Sequence, residues 1–182
     1  SVLDQEKEKD TGVKSIDKAT GKITFNKVNF AYDFNKEDAA SQKWALENIS
    51  FELNPGETLA LVGRSGSGKS TARALLLRFY DASQGEILMG GVNIEDYLLK
   101  DLRQQFAYVS QDVVLFNDTL ANNIAYGKPE ATMDEIIAAA KSAHVMEFAE
   151  KMEHGLQTNI GENGALLSGG QRQRVAIARA LL

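Results

Sequence analysis

The chain has 182 residues, 43% hydrophobic and 25% charged, the make-up of a folded domain with its own core. A formal net charge of -5 gives no overall electrostatic reason to bind nucleic acid or an anionic bilayer, so no nucleic-acid partner is expected and any anionic ligand needs a local site. The absence of cysteine excludes disulfides, thiol nucleophiles and thiolate zinc sites, and no apolar run approaches the roughly 20 residues that span a bilayer.

Residues 1–22 are rich in Asp, Glu, Lys, Ser and Thr and carry few large apolar groups to hold them on a core, so they read as a linker. From residue 23 the alternation Ile23, Phe25, Val28, Phe30, Tyr32 has strand character with one slip near Lys27, and Leu46, Ile49, Phe51 and Leu53 repeat it; two antiparallel strands are expected. Residues 33–43 between them read as a surface loop, and Asn54-Pro55-Gly56 as a turn. Residues 58–62 form a short, nearly continuous apolar run ending at Gly63, which predicts a buried strand, and from Ser70 the positions Ala74, Leu75 and Phe79 have helical spacing. A small hairpin is expected at residues 86–94 around Gly90-Gly91, and a further short buried strand at residues 106–109. Residues 120–152 are alanine-rich and helical in period, with a possible capping box at Thr132 and Glu135 and a possible stop at Gly155. Ser168 then caps a last helix that is still running at Leu182.

Two segments carry chemistry. Gly63-Arg64-Ser65-Gly66-Ser67-Gly68-Lys69-Ser70 satisfies the phosphate-loop pattern G-x-x-x-x-G-K-[ST] between an expected strand and an expected helix. Glycines let backbone N–H groups converge on phosphate oxygens, Lys69 adds a point charge for the β- and γ-phosphates, and Ser70 offers a hydroxyl to Mg²⁺. The helix begun there, through Thr71, adds its N-terminal dipole. Leu167-Ser168-Gly169-Gly170-Gln171 is a second glycine-bearing helix start aimed at an anion; alone it reads equally well as an ordinary N-cap. Two such starts with one lysine anchor are more than one nucleotide in one chain requires.

The phosphate loop, the LSGGQ pentapeptide and Ser110-Gln111-Asp112, in this order, resemble the nucleotide-binding domain of ABC ATPases, over nearly the whole chain from residue 23. The resemblance implies an α/β phosphate-loop core with an antiparallel β subdomain and a helical subdomain, binding ATP with Mg²⁺. It divides the chain into a linker from a transmembrane domain (1–22), a β subdomain (23–57), the phosphate-loop core (58–112), a helical subdomain (113–167) and a signature helix (168–182). It implies that two such domains pair head to tail, so that Ser168, Gly169, Gly170 and Gln171 meet the γ-phosphate held by the partner's loop. Tyr32 matches the aromatic that stacks on adenine. Gln111 matches the glutamine that reaches Mg²⁺ and the attacking water. Gly161-Glu162-Asn163-Gly164 resembles the exporter segment that meets the transmembrane domain, as does the neighbourhood of Gln111. Residues 115–119, 122–127 and 159–174 are similar to exporter-type domains, those of bacterial lipid A flippases above all, which implies a lipid or other amphipathic cargo and a place on the cytoplasmic face of the inner membrane. In that family the Mg²⁺-binding Asp, the catalytic Glu and a switch histidine follow the signature helix; His144 and His154 precede it and read as surface or packing residues. The 182 residues are therefore expected to bind nucleotide but, by themselves, to lack the general base, with Lys69, Gln111 and Ser168 as the catalytic positions they do supply. A soluble ABC ATPase of DNA repair or chromosome maintenance, or a nucleotide-binding module without turnover, is the alternative.

Overall fold

The computed structural model describes residues 8, 10–34 and 42–182, which fall into two compact units, one ending at Phe106 and one spanning Ala107–Leu182. The first is built on a 4-stranded sheet ordered β2-β1-β3-β4, with β1 at Ile23–Phe30, β2 at Leu46–Leu53, β3 at Gln84–Met89 and β4 at Val92–Asn93. Each pairing is antiparallel. The alternation read in β1 puts Ile23, Phe25, Val28 and Phe30 in the core. The slip near Lys27 is a bulge: Lys27 has φ 49, and the register shifts between Phe25 and Val28 against β2 and between Asn26 and Asn29 against β3. The extra residue returns the following side chains to the buried face. Phe25 stacks on its cross-strand partner Phe51 at 4.5 Å, the kind of pair that fixes strand register. The hairpin joining β3 to β4 turns at Gly90 and Gly91, with φ 61 and 83, the two positive values that a two-residue hairpin turn of matching twist demands.

Helix α1, Lys69–Leu76, lays Ala72 and Leu75 into the core of this unit. At its end Arg78 is buried and bonded: Nη1 donates to the carbonyls of Ile94 at 3.4 Å and Tyr97 at 3.2 Å, and Nε to the Asp81 carboxylate at 3.4 Å. A buried guanidinium needs such partners. Helix α2 spans Leu99–Gln104. Part of the segment expected as a linker, residues 1–7 and 9, lies outside the described residues, as do residues 35–41 of the expected loop. The rest of the segment is held on the unit. Lys14 bridges to Tyr97 in parallel, Ile16 and Ala19 pack on the core, and the Gln105 amide donates to the carbonyls of Ile16 and Asp17 while accepting from the backbone N–H of Ala19. Polar composition misses this docking because backbone groups make much of it, beside the apolar contacts of Ile16 and Ala19.

Two expected strands are corrected. Residues 58–62 form no strand, and Leu59, Leu61 and Val62 are 43%, 46% and 88% exposed. Residues 106–109 are likewise irregular, with Tyr108 49% exposed. An apolar run becomes a buried strand only with partner strands beside it and layers on both faces. Among the described residues no strand pairs with either segment.

The second unit is helical, with α3 at Leu120–Ile124, α4 at Met133–Ser142, α5 at Met146–Ala149 and α6 at Gly169–Leu181. Its core gathers Leu120, Ile124, Val145, Ile160 and Val175 around the buried alanines Ala139, Ala140 and Ala178, whose small side chains let α4 and α6 approach closely. Thr132 caps α4 in the expected box, its hydroxyl accepting from the Glu135 N–H and the Glu135 carboxylate from the Thr132 N–H. The helical stretch breaks after α4, where His144 has φ 58, and ends in a 3-10 turn begun by Gly155 at φ 52.

Candidate functional site

In the first unit the phosphate loop runs directly into α1, whose first residue is Lys69. Gly68, the residue before it, has φ 85, and a Cβ there would stand 2.7 Å from the Ala45 carbonyl oxygen and 2.5 Å from Leu46 Cδ2. Only glycine permits both that backbone angle and the close approach of the loop to β2. The Lys69 ammonium folds over the loop and donates to the carbonyls of Gly63 at 2.9 Å and Arg64 at 2.7 Å, and to Ser67 Oγ at 3.2 Å. Its charge is thereby centred on the loop, in contact with oxygen acceptors that an anion would outcompete. Ser65, Gly66 and Ser70 are exposed beside it.

Tyr32 lies against the same loop. Its hydroxyl shares a hydrogen bond with Thr71 Oγ1 at 3.1 Å, and Thr71, the third residue of α1, is buried. Tyr32, Ala45, Ser65, Gly66, Gly68, Lys69, Ser70 and Thr71 line one cavity of about 400 Å³, within the range of small-molecule sites. The ring is 59% exposed, so a face is open to an aromatic ligand. A second, apolar cavity of about 560 Å³ in this unit lies between the sheet and residues 59 and 61, reaching Lys69 and Ser70 at its edge; its apolar lining is the surface that residues 58–62 leave uncovered.

In the second unit Ser168 caps α6: its hydroxyl accepts from the Gln171 N–H at 3.3 Å, and Gln171 Oε1 accepts from the Ser168 N–H at 2.8 Å. The Gly169 and Gly170 backbone at this helix start is exposed. Ser168, Gly170 and Gln171 line a cavity of about 320 Å³ with Glu147, Lys151 and Arg174. Glu147 there accepts from His144 at 2.8 Å and from Arg174 at 2.7 Å, and these bonds, His144's foremost, hold its carboxyl below the ordinary value. Gln111 shares a different cavity, of about 470 Å³, with Glu162, Asn163, Gly169 and Arg172.

The sequence-predicted residues thus fall into three groups. Tyr32 and the loop from Gly63 to Thr71 belong to the first unit, Ser168 to Gln171 form a helix start in the second, and Gln111 meets Glu162 in a cavity of that second unit. The sequence assigns no site role to Asn123, within the exporter-like segment 122–127, or to Arg179. Asn123 is buried, and its amide bonds the N–H and carbonyl of Phe116 and the carbonyl of Thr119, while Arg179 of α6 donates to the carbonyls of Asn123 and Val114. Burial lowers the Arg179 pKa. These contacts fasten the signature helix to the segment that follows Gln111.

Residues 46–182 match the family of ABC transporters. The chain belongs to that family. It is 70% identical over its whole length to the ATP-dependent lipid A-core flippase 1 of Colwellia psychrerythraea and 60% identical to the ATP-dependent lipid A-core flippase of Pseudoalteromonas atlantica. It covers 31% and 30% of those proteins, so the chain spans about three-tenths of the length of these relatives. Among solved structures, a bacterial Atm1-family ABC exporter with ATP bound superposes with a TM-score of 0.81 at 42% identity, over 92% of this chain and 28% of that one. The fold is that of an ABC ATPase domain, mixed α/β with an antiparallel sheet and a helical unit. No helix among the described residues is long and apolar enough to cross a membrane.

Proposed function

We propose that this chain is the nucleotide-binding motor part of an ATP-driven exporter whose cargo is lipid A-core or a closely related lipid. The observation that carries the proposal is the cavity in which Tyr32 and the phosphate loop meet, because a nucleotide needs an aromatic surface and a phosphate anchor at one end-to-end distance. Whole-length identity to two lipid A-core flippases supports the cargo. In this reading the amides from Gly63 to Ser70 and the Lys69 ammonium hold the phosphates, and Tyr32 stacks on adenine.

The residues fit a phosphate-borne cation. Among the described residues no group of three or more His, Cys, Asp or Glu could hold a metal, and the exposed Ser70 hydroxyl beside the loop suits Mg²⁺, which takes few protein ligands and arrives with phosphate. When bound, Mg²⁺ supplies positive charge against the phosphate oxygens. Ser168, Gly169, Gly170 and Gln171 would complete the site of a second copy, head to tail, their helix start favouring the same anion. The cavity shared by Gln111 and Glu162 supports a contact with the transmembrane part there, on the cytoplasmic face of the bacterial inner membrane.

A chimera tests the motor reading: the matching segment of the Colwellia flippase is replaced by these 182 residues, and its lipid-stimulated ATP hydrolysis is measured in membranes. Stimulated turnover that Lys69→Ala removes is expected. A folded chimera that binds ATP yet shows no response to lipid A would contradict it.

A further inference from the structure

We infer that Tyr80 is a positioning residue for the base-binding ring, which makes nucleotide affinity, but not phosphate affinity, depend on a side chain outside the phosphate loop. The inference rests on the reading of Tyr32 as the adenine platform. Tyr80 and Tyr32 meet with ring centroids 5.3 Å apart and planes at 90°. Phe30 closes the group, 4.9 Å from Tyr32 at 80° and 5.5 Å from Tyr80. Edge-to-face pairs of this spacing are attractive because the positive ring edge meets the negative face. Phe30 is buried in the sheet, whereas Tyr32 and Tyr80 are 59% and 47% exposed, so the core secures Phe30 and the other two rings stand out from it as a pair.

Tyr80 is well placed to fix its neighbour because its own turn is anchored on both sides. Before it, the buried Arg78 guanidinium is bonded to Ile94, Tyr97 and Asp81, and the Phe79 N–H donates to the Ala74 carbonyl at 2.9 Å. After it, the Ser83 N–H donates to the Asn29 carbonyl at 3.0 Å and Ser83 Oγ accepts from the Ala31 N–H at 3.2 Å. Those last bonds reach the end of β1, one residue from Tyr32. The Tyr32 hydroxyl meanwhile is tied to Thr71 on the phosphate-binding helix. Tyr32 is thus held at its hydroxyl by one element and at its ring by another, and an exposed ring held this way loses little rotamer freedom when a base stacks on it. Removing Tyr80 leaves the ring only Phe30 and the Thr71 bond, and makes base binding bear part of the cost of ordering it.

The test titrates the 182-residue chain with Mg-ATP and, separately, with Mg-tripolyphosphate, by calorimetry, in the wild type, Tyr80→Ala, Tyr80→Phe, Tyr32→Ala and the double alanine variant. Tyr80→Ala should weaken ATP about three- to tenfold, the worth of one aromatic pair, and leave tripolyphosphate unchanged. Tyr80→Phe, which keeps the ring, should bind both as the wild type does. Tyr32→Ala should weaken ATP about fivefold or more, with no further loss in the double variant, since the two residues act through one ring. Unchanged ATP affinity in Tyr80→Ala, equal weakening of both ligands, or a Tyr80→Phe as weak as Tyr80→Ala would each overturn the inference. If Tyr32→Ala itself weakens ATP and tripolyphosphate alike, the adenine-platform reading falls and the role of Tyr80 falls with it. If Tyr32→Ala is base-dependent and Tyr80→Ala is silent, only the role of Tyr80 is lost.

Discussion

Two glycines of the phosphate loop carry the same backbone strain but different surroundings, and substituting each by alanine separates the two effects. Gly66 has φ 82 and nothing within 4 Å of a Cβ; Gly68 has φ 85 and a Cβ would sit 2.7 Å from the Ala45 carbonyl oxygen and 2.5 Å from Leu46 Cδ2. A left-handed backbone costs an L residue about 1–2 kcal/mol, offset by about 0.4–1 kcal/mol from the stiffer unfolded chain, so Gly66→Ala should lose at most about 1.6 kcal/mol of stability. Gly68→Ala adds overpacking against backbone that cannot rotate away, for about 1–3 kcal/mol more. Leu46 can shift its methyl, but the Ala45 carbonyl is held because the Ala45 N–H donates to the Phe30 carbonyl at 2.8 Å. The relief available is for the start of α1 to move off β2, which widens the cavity between Tyr32 and Lys69. Urea unfolding and ATP titration of the two variants provide the comparison. Gly68→Ala should be the less stable by at least about 1 kcal/mol and the weaker binder. Equal stability of the two, or the reverse order, would refute the argument from close approach.

Asn123→Ala should destabilise the chain by about 1–3 kcal/mol, since it strands the Phe116 N–H, while the carbonyls of Phe116 and Thr119 keep the backbone N–H groups of Asp118 and Asn123; urea unfolding measures it, and a neutral result would contradict it. Glu135, bonded to Lys128 and to Thr132, has its pKa lowered from 4.5 to about 2. A depressed carboxyl stabilises the fold above its unfolded value and loses that contribution as pH falls through the folded one. The thermal midpoint of Glu135→Gln should therefore lie below wild type at neutral pH, with the gap closing between about pH 5 and pH 2 and narrowing in high salt.

What the sequence discloses here depends on how locally each feature is determined. The β1 slip, the Gly90-Gly91 turn, the capping box at Thr132 and the cap at Ser168 are written in a few adjacent residues, and the structure forms them. The same holds for the loop glycines. Residues 58–62 carry an apolar run as clear as that of β2, but an apolar run states only a wish for burial; whether it pairs is decided by strands far away in the chain. The docking of residues 10–22 is hard to see for a related reason, since beside the apolar contacts of Ile16 and Ala19 it uses backbone groups and the Gln105 amide, a partner distant in sequence. Within the candidate site, Tyr32 and the loop are identified by motif, whereas the Tyr80 ring and the Asn123–Arg179 contacts join residues distant in sequence and belong to no motif. Their roles come from geometry alone.

The central claim is that the phosphate loop, with Lys69 at its head, binds a nucleoside triphosphate. Calorimetric titration of the 182-residue chain and of Lys69→Ala with Mg-ATP tests it most directly, with circular dichroism to establish that both are folded. One ATP per chain for the wild type, and no measurable binding for Lys69→Ala, is the predicted result, because the substitution removes the ammonium that folds over the loop and leaves the phosphates chiefly to neutral amides. Undiminished ATP affinity in folded Lys69→Ala would contradict it.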